Sequence, residues 1–308
     1  MKLKNYDQFI DMSTIEKEEE IEKVALSYTI FGRVSPTQKK QLVEAMQKAK
    51  KTVAMTGDGV NDVLALKTAD CSIAMANGSD ATKKVSQLIL LDSNFASMPK
   101  IVAEGRRTIN NIQRSAMLFL VKTIYSGLLA ILFLFMGETY PFVPIQMSLI
   151  GTITIGIPSF ILALEPNKER IQGTFLKNVT MRAIPAGLAV ILNIFVLAIL
   201  NKKEMISEAQ YSSLCVIGTG ICGIILLFML AKSRKSEDSK LPVSIFRLLL
   251  AIAVTLLFTL GLTVFNWWFN IVPLMPILNL IVKLIILSCI NFIVLTIVFK
   301  KILFRNET

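Results

Sequence analysis

From residue 116 onward the chain carries six apolar runs, at 116–136, 143–164, 183–200, 214–231, 248–265 and about 277–299. Each is close to the ~20 residues that an α-helix needs to cross a bilayer. Residues 1 to about 110 mix charged and apolar side chains throughout. No other property narrows the fold as much, because a backbone inside lipid must satisfy its polar groups within helices or a closed barrel. The mean hydropathy of +0.60 and the 53% hydrophobic content therefore average over two unlike regions. The expectation is a cytosolic region followed by a multi-pass helical bundle.

The net charge of +11 has a simple origin in this picture. With residues 1–110 on the cytosolic side, the inner loops hold Lys168, Arg170, Lys177 and Arg182, then Lys232, Arg234, Lys235 and Lys240, and the tail adds Lys300, Lys301 and Arg305. The outer loops hold only Lys202 and Lys203, beside an aromatic run Asn266-Trp267-Trp268-Phe269 suited to the interface. This asymmetry predicts a cell-membrane protein with both termini cytoplasmic. It leaves no basic stripe interleaved with aromatics, so nucleic acid is not an expected partner. The bilayer is.

Histidine is absent, which removes imidazole bases and His-ligated zinc. The four cysteines, Cys71, Cys215, Cys222 and Cys289, form no Cys-x-x-Cys pair, so neither a disulfide framework nor a thiolate metal site is expected. Lys2, Lys4 and Asp7 precede no apolar core, so no signal peptide is expected at the start.

Within the first region, apolar runs alternate with helical patterns. A charged surface helix is predicted over 14–26, a strand over 27–34, a helix from Pro36 to about Lys50 capped by Ser35, and a strand over 52–56. A helix over 62–69, a strand over 71–76, a helix capped by Ser79 and a last strand over 88–91 follow. Strands alternating with helices predict a parallel, doubly wound α/β sheet. Phosphate ligands in such sheets bind beyond the carboxyl ends of the strands.

At one such end lies Met55-Thr56-Gly57-Asp58-Gly59-Val60-Asn61-Asp62. Magnesium prefers carboxylate and phosphate oxygens. Asp58, between two glycines, is placed to reach such an ion, and Gly57 and Gly59 permit backbone angles and close approach that a side chain would block. Asn61 and Asp62 are placed to orient phosphate, metal or a neighbouring loop, and Lys39 to balance phosphate charge. The same residues also suit a plain turn joining strand to helix.

Around that turn stand Phe31-Gly32-Arg33-Val34-Ser35-Pro36-Thr37-Gln38-Lys39, Ala69-Asp70-Cys71-Ser72-Ile73-Ala74-Met75, Asp92-Ser93-Asn94-Phe95 and Glu104-Gly105-Arg106-Arg107. Together with residues 55–66 they closely resemble the P-type cation-transporting ATPases. The resemblance implies a haloacid-dehalogenase-like partial domain over 1–98, a helical stalk over 99–115 and a six-span membrane domain over 116–308. It implies a transported cation as substrate, Asp58 as magnesium ligand, Asn61 and Asp62 as parts of the hinge constellation, and Lys39 as the lysine that stabilises an aspartyl phosphate. The family's Asp-Lys-Thr-Gly-Thr nucleophile run is absent from these residues. So are its ATP-binding domain, its actuator domain and its first four spans. The expectation is a C-terminal fragment or truncated product, inactive alone, with a second polypeptide as a partner that would supply the missing parts, ATP binding included. The missing nucleophile strand would leave an apolar sheet edge unpaired.

In the first span the resemblance singles out Lys122, Thr123 and Ser126 as transport candidates, with snorkelling as the other reading of Lys122. In the second, Gln146, Gly151, Thr152, Thr154, Gly156 and Pro158 are candidates, since glycine and proline free helix carbonyls. The family's calcium and sodium/potassium pumps place an aspartate where Ile155 stands, and no Cys-Pro-Cys motif is present. Gly218, Gly220 and Gly223 are expected to serve packing. Asn193, Lys283 and Asn291 are expected as buried polar groups. Three further readings remain: a phospholipid flippase of the same superfamily, a non-enzymatic membrane remnant or partner subunit, and a membrane-anchored phosphatase. The last requires an Asp-x-Asp-x run that the chain lacks.

Overall fold

The computed structural model describes residues 5–15, 17–137, 139–231 and 244–304. Lys232, Arg234, Lys235, Lys240 and Arg305, counted above in the charge asymmetry, lie outside the described residues, as do Lys2 and Lys4. The chain forms two compact units, Met1–Ile101 and Val102–Thr308.

The first unit is α/β, and every described strand pair is parallel. Its strands sort into two small sheets, where the alternating pattern predicts one. β1 (Phe9–Asp11) pairs with β2 (Ile30–Gly32), and β3 (Ala54–Gly57), β4 (Cys71–Met75) and β5 (Leu88–Leu90) form the second sheet in that order. No described strand bridges β2 to β3, so β3 is an edge strand. β1 is three residues long and too short for an alternation pattern to reveal.

Each sheet has its own apolar core. Met12, Ile15, Ile21, Ala25, Leu42 and Ala45 pack between the first sheet, α1 (Glu18–Ser27) and α2 (Pro36–Lys48). Ala65, Leu66, Ile73, Ala74 and Leu90 are buried beside the second sheet, with α3 (Val63–Thr68) and α4 (Asp80–Val85). Ser35 caps α2 in a reciprocal box: its hydroxyl accepts from the Gln38 amide at 3.2 Å, and its own amide donates to Gln38 Oε1 at 3.0 Å. Gln38 Nε2 donates onward to the carbonyls of Met12 and Ile15. One side chain thus starts a helix and ties it to a loop more than twenty residues away. Ser79 caps α4 by accepting from the Thr82 amide.

The second unit contains six helical segments long and apolar enough to cross a membrane: Phe95–Met136, whose start lies in the first unit, Pro144–Ala163, Phe175–Lys202, Glu208–Ala231, Ile245–Thr263 and Met275–Ile302. They match the six apolar runs. The stalk residues and the first span form one continuous helix, α5 (Met98–Met136). The second span is α6 (Pro144–Ile150), a π-helical stretch Gly151–Gly156, and α7 (Ile157–Ala163). The others are α8 (Phe175–Lys202), α9 (Glu208–Ala231), α10 (Ile245–Thr263) and α11 (Leu278–Phe304).

Small residues set the helix spacing, as expected. A Cβ on Gly220 would fall 2.1 Å from the Phe258 ring, and one on Gly218 3.3 Å from Leu284. Asn193 is buried and fully engaged: it donates to Ser288 Oγ at 2.8 Å and accepts from Asn291 Nδ2 at 2.9 Å. Lys283 is not a buried polar group; its place on α11 is exposed.

Candidate functional site

The turn after β3 is organised around Asp62, which is 7% exposed. The short 3-10 turn Val60–Asp62 folds its carboxylate back toward the strand end. Oδ2 accepts from the backbone amides of Asp58 and Gly59, both at 3.3 Å. Oδ1 accepts from Lys39 Nζ of α2 at 2.6 Å. A buried carboxylate is tolerated only when paired and hydrogen-bonded, and here both conditions are met.

Gly57 makes room for this carboxylate. A Cβ there would sit 2.5 Å from Asp62 Cβ, closer than real atoms approach. The need is therefore space and not an unusual backbone angle. Gly59 is extended, with φ −106°, and the nearest atom to a Cβ built on it is Asp62 Oδ2 at 3.9 Å. Its face is open to an approaching group. Asp58 is exposed at the carboxyl end of β3, and Asn61 is exposed beside it.

Sequence reasoning missed the second loop at this edge. The Ser79 amide donates to the Asp58 carbonyl at 2.8 Å, and a Cβ on Gly78 would meet that oxygen at 2.7 Å. Asn77-Gly78-Ser79 follows β4 directly, so a turn at the same sheet edge was the available signal.

The residues brought together are thus Lys39, Gly57, Asp58, Gly59 and Asp62, with Asn61 at the rim. Among the described residues no group of three or more His, Cys, Asp or Glu side chains could hold a metal ion. Mg²⁺ commonly keeps several waters and takes one or two carboxylates plus phosphate oxygens. Asp58 would be this chain's carboxylate.

The transport candidates do not converge on one point. Lys122, half-buried on α5, aims its ammonium at the π-helical stretch: a Cβ on Gly151 would lie 2.9 Å from Nζ. Thr154 is buried within that stretch, donates to the Ile150 carbonyl at 2.7 Å, and packs where Gly223 lacks a side chain. Pro158 is buried just beyond. It brings no amide to the turn, so one carbonyl there loses its intrahelical donor. Ser126 is half-buried, while Thr123 and Thr152 are exposed. Gln146 is fully buried and engaged at the opposite end of the span: it donates to the Asn270 carbonyl and accepts from the Val143 amide and Ser212 hydroxyl.

Residues 37–100 match the haloacid dehalogenase-like hydrolase family, and this stretch holds the whole Lys39–Asp62 arrangement. The probable cation-transporting ATPase exp7 of Streptococcus pneumoniae is 40% identical over 232 residues, which is 73% of this chain and 30% of that protein. The calcium-transporting ATPase CtpE of Mycolicibacterium smegmatis is 48% identical over 185 residues, 57% of this chain and 23% of its own length. Calcium-transporting ATPase 3, endoplasmic reticulum-type, of Arabidopsis thaliana is 40% identical over 131 residues, 42% of this chain and 13% of that protein.

The chain is similar to part of the P-type cation-transporting ATPases. It spans less than a third of the length of these three relatives.

In the second unit the most heavily charged buried group is one that the sequence did not announce. Glu165, at the end of the second span, is 7% exposed. Arg247 Nε of α10 donates to its two carboxylate oxygens at 2.8 and 3.0 Å, and Arg114 Nη1 of α5 donates to Oε2. Arg247 Nη1 also donates to the Leu230 carbonyl, and Asn111 Nδ2 to the carbonyl of Glu165 itself. Four spans are joined through this cluster. Its one sequence signal was an acidic residue closing an apolar run that basic residues follow.

Proposed function

We propose that this chain is the magnesium-binding hinge and transport-helix portion of an ATP-driven cation pump that works through an aspartyl phosphate. The observation that carries the reading is the convergence of Lys39, the Asp58 loop and Asp62 on one turn at the carboxyl end of β3, in a chain that also holds six candidate spans. The phosphorylated aspartate comes from outside these 308 residues, which contain no Asp-Lys-Thr-Gly-Thr run. β3 is an edge strand with open backbone groups, so a strand bearing that nucleophile has a place to pair.

Each residue then has a task. Asp62 anchors Lys39 and tethers the Asp58 amide, which fixes where the Asp58 carboxylate stands. Lys39 keeps a positive charge beside the incoming phosphoryl group. Gly59 leaves the approach clear. Magnesium, when bound, neutralises phosphate charge, with Asp58 as its ligand from this chain. In the membrane, Lys122 and the π-helical stretch at Gly151 form the candidate transport element, since π segments inside helices often mark functional sites. The relatives named as calcium transporters make calcium the first ion to test.

The decisive experiment replaces the matching stretch of the S. pneumoniae protein with this chain. The chimera should form an acid-stable phosphoenzyme from labelled ATP, Asp58→Asn should abolish it, and this chain alone should form none. A chimera that assembles in the membrane yet is never phosphorylated, while its parent is, overturns the reading.

A further inference from the structure

Two turns at the carboxyl ends of β4 and β5 are bonded to one another. The Asn77 amide, just after β4, donates to Ser93 Oγ, just after β5, at 3.1 Å. The Ala76 amide donates to the Leu90 carbonyl at 3.0 Å, and the Ser93 amide closes its own turn on the same oxygen at 3.0 Å. Ser93 is half-buried there, with φ +48°. Left-handed backbone is uncommon outside glycine and persists where neighbours hold it in place.

On one side of this joint lies the Asp58 loop. Two residues after Asn77, the Ser79 amide holds the Asp58 carbonyl at 2.8 Å. Gly78 is pressed against that carbonyl so closely that a Cβ would lie 2.7 Å from it. Groups packed this tightly pass a displacement on instead of absorbing it. On the other side lies the start of α5. Asp92 accepts from the Asn94 amide at 3.1 Å and from the Ser97 hydroxyl, and Asn94 Oδ1 accepts from the Ala96 amide at 2.9 Å. These bonds set the 3-10 turn Phe95–Ser97, which runs without a break into Met98, the first residue of α5. Along the chain, Asp58 reaches Met98 only by way of α3, β4, α4 and β5. Through Ser93 the route is two hydrogen bonds and one short capped turn.

We propose that Ser93 is a positioning residue: its hydroxyl, by holding the Asn77 amide, fixes the Asp58 loop against the start of α5. The consequence for transport rests on the pump reading above. The link itself lies within the first unit and is tested without it.

Amide exchange in the full 308-residue chain, purified in neutral detergent, tests the link. Ser93→Ala removes the acceptor. Exchange should speed up about fivefold, the size of one net hydrogen bond, at the Ser79 amide on one side and at the Ala96 and Ser97 amides on the other. Ser93→Gly relieves the left-handed backbone yet still lacks the acceptor, so it should behave as Ser93→Ala does. Ser93→Asn supplies an acceptor on a residue that tolerates this backbone, and it should restore protection. The Gln87 amide, bonded to Ser72 at the opposite end of β4, should exchange at one rate in all variants. Acceleration on only one side of the joint, or full protection in Ser93→Gly, overturns the assignment.

The chimera with the S. pneumoniae protein supplies the second readout. Ser93→Ala should leave the phosphoenzyme level nearly unchanged and lower cation uptake per ATP hydrolysed about fivefold, and Ser93→Asn should restore it. A phosphorylated chimera whose uptake per ATP ignores Ser93→Ala overturns the assignment. A chimera that is never phosphorylated defeats the pump reading instead, and the exchange result then decides the link.

Discussion

Two buried carboxylates, Asp62 in the first unit and Glu165 in the second, are equally hidden, at 7% exposure each, and are assembled in opposite ways. Asp62 takes two of its three hydrogen bonds from amides three and four residues earlier in the chain, and its cation from Lys39, 23 residues away. Glu165 takes its charge-assisted bonds from Arg114 and Arg247, 51 and 82 residues away on different spans. The first is a local turn that a short motif encodes. The second exists only once helices have packed. A local carboxylate can organise a site at a sheet edge and still face water, whereas the long-range one locks helices together where water is scarce.

This contrast can be broken most severely at Glu165. Glu165→Ala would leave two guanidinium groups buried with no carboxylate, and removing one partner of such a cluster costs about 3–5 kcal/mol. The expected outcome is a large drop in the melting temperature of the detergent-solubilised chain. A drop no larger than that of an exposed control such as Lys203→Ala would show that the cluster is already hydrated.

At Asp62 the corresponding lesion is Gly57→Ala. The added Cβ would press on the Asp62 side chain, and overpacking of this kind costs about 1–3 kcal/mol. Amide exchange along β3 should accelerate while exchange in the spans stays unchanged. Equal acceleration in both units would show that the turn is not a local structure.

The smallest effect is a pH dependence confined to the first unit. A hydrogen bond from the Val53 amide, and then one from Gln47, hold the Asp70 carboxyl below its ordinary value of 3.8. The Ser97 hydroxyl, and then the Asn94 amide, do the same for Asp92. A carboxyl whose pKa is depressed by folding contributes stability that is complete above its unfolded pKa and is lost as pH falls through the folded one. Protection of β4 should therefore be flat from pH 7 to 5 and decline below about 3.8. Asp70→Asn should flatten that decline. A transition centred above pH 5 would point to other groups.

Much of the first unit was legible because its determinants are close together in sequence. Ser35 and Gln38 announced a capping box, Ser79 announced a helix start, and residues 55–62 announced a strand running into a turn. The sequence marked Gly57 as a place of close approach or unusual backbone angle, and in the fold the neighbour that crowds it is Asp62 of the same turn. Gly78 and Ser79 were missed because their contact with the Asp58 carbonyl depends on β4 lying beside β3. In the spans, the sequence marked Gln146 as polar but could not show its partners. Its three hydrogen bonds lie with loop and helix-end groups near the opposite end of the bundle.

Sequence alone determined the number of spans, since bilayer thickness converts directly into apolar run length, and it determined the acidic turn, since that geometry closes within six residues. Tertiary structure alone decided that the strands form two sheets, that Glu165 meets Arg114 and Arg247, and that the Asn77 amide meets the Ser93 hydroxyl. The reason is the range of the interactions. Hydropathy and backbone turns sum over neighbours in the chain, whereas electrostatic clusters form between residues that only packing brings within reach.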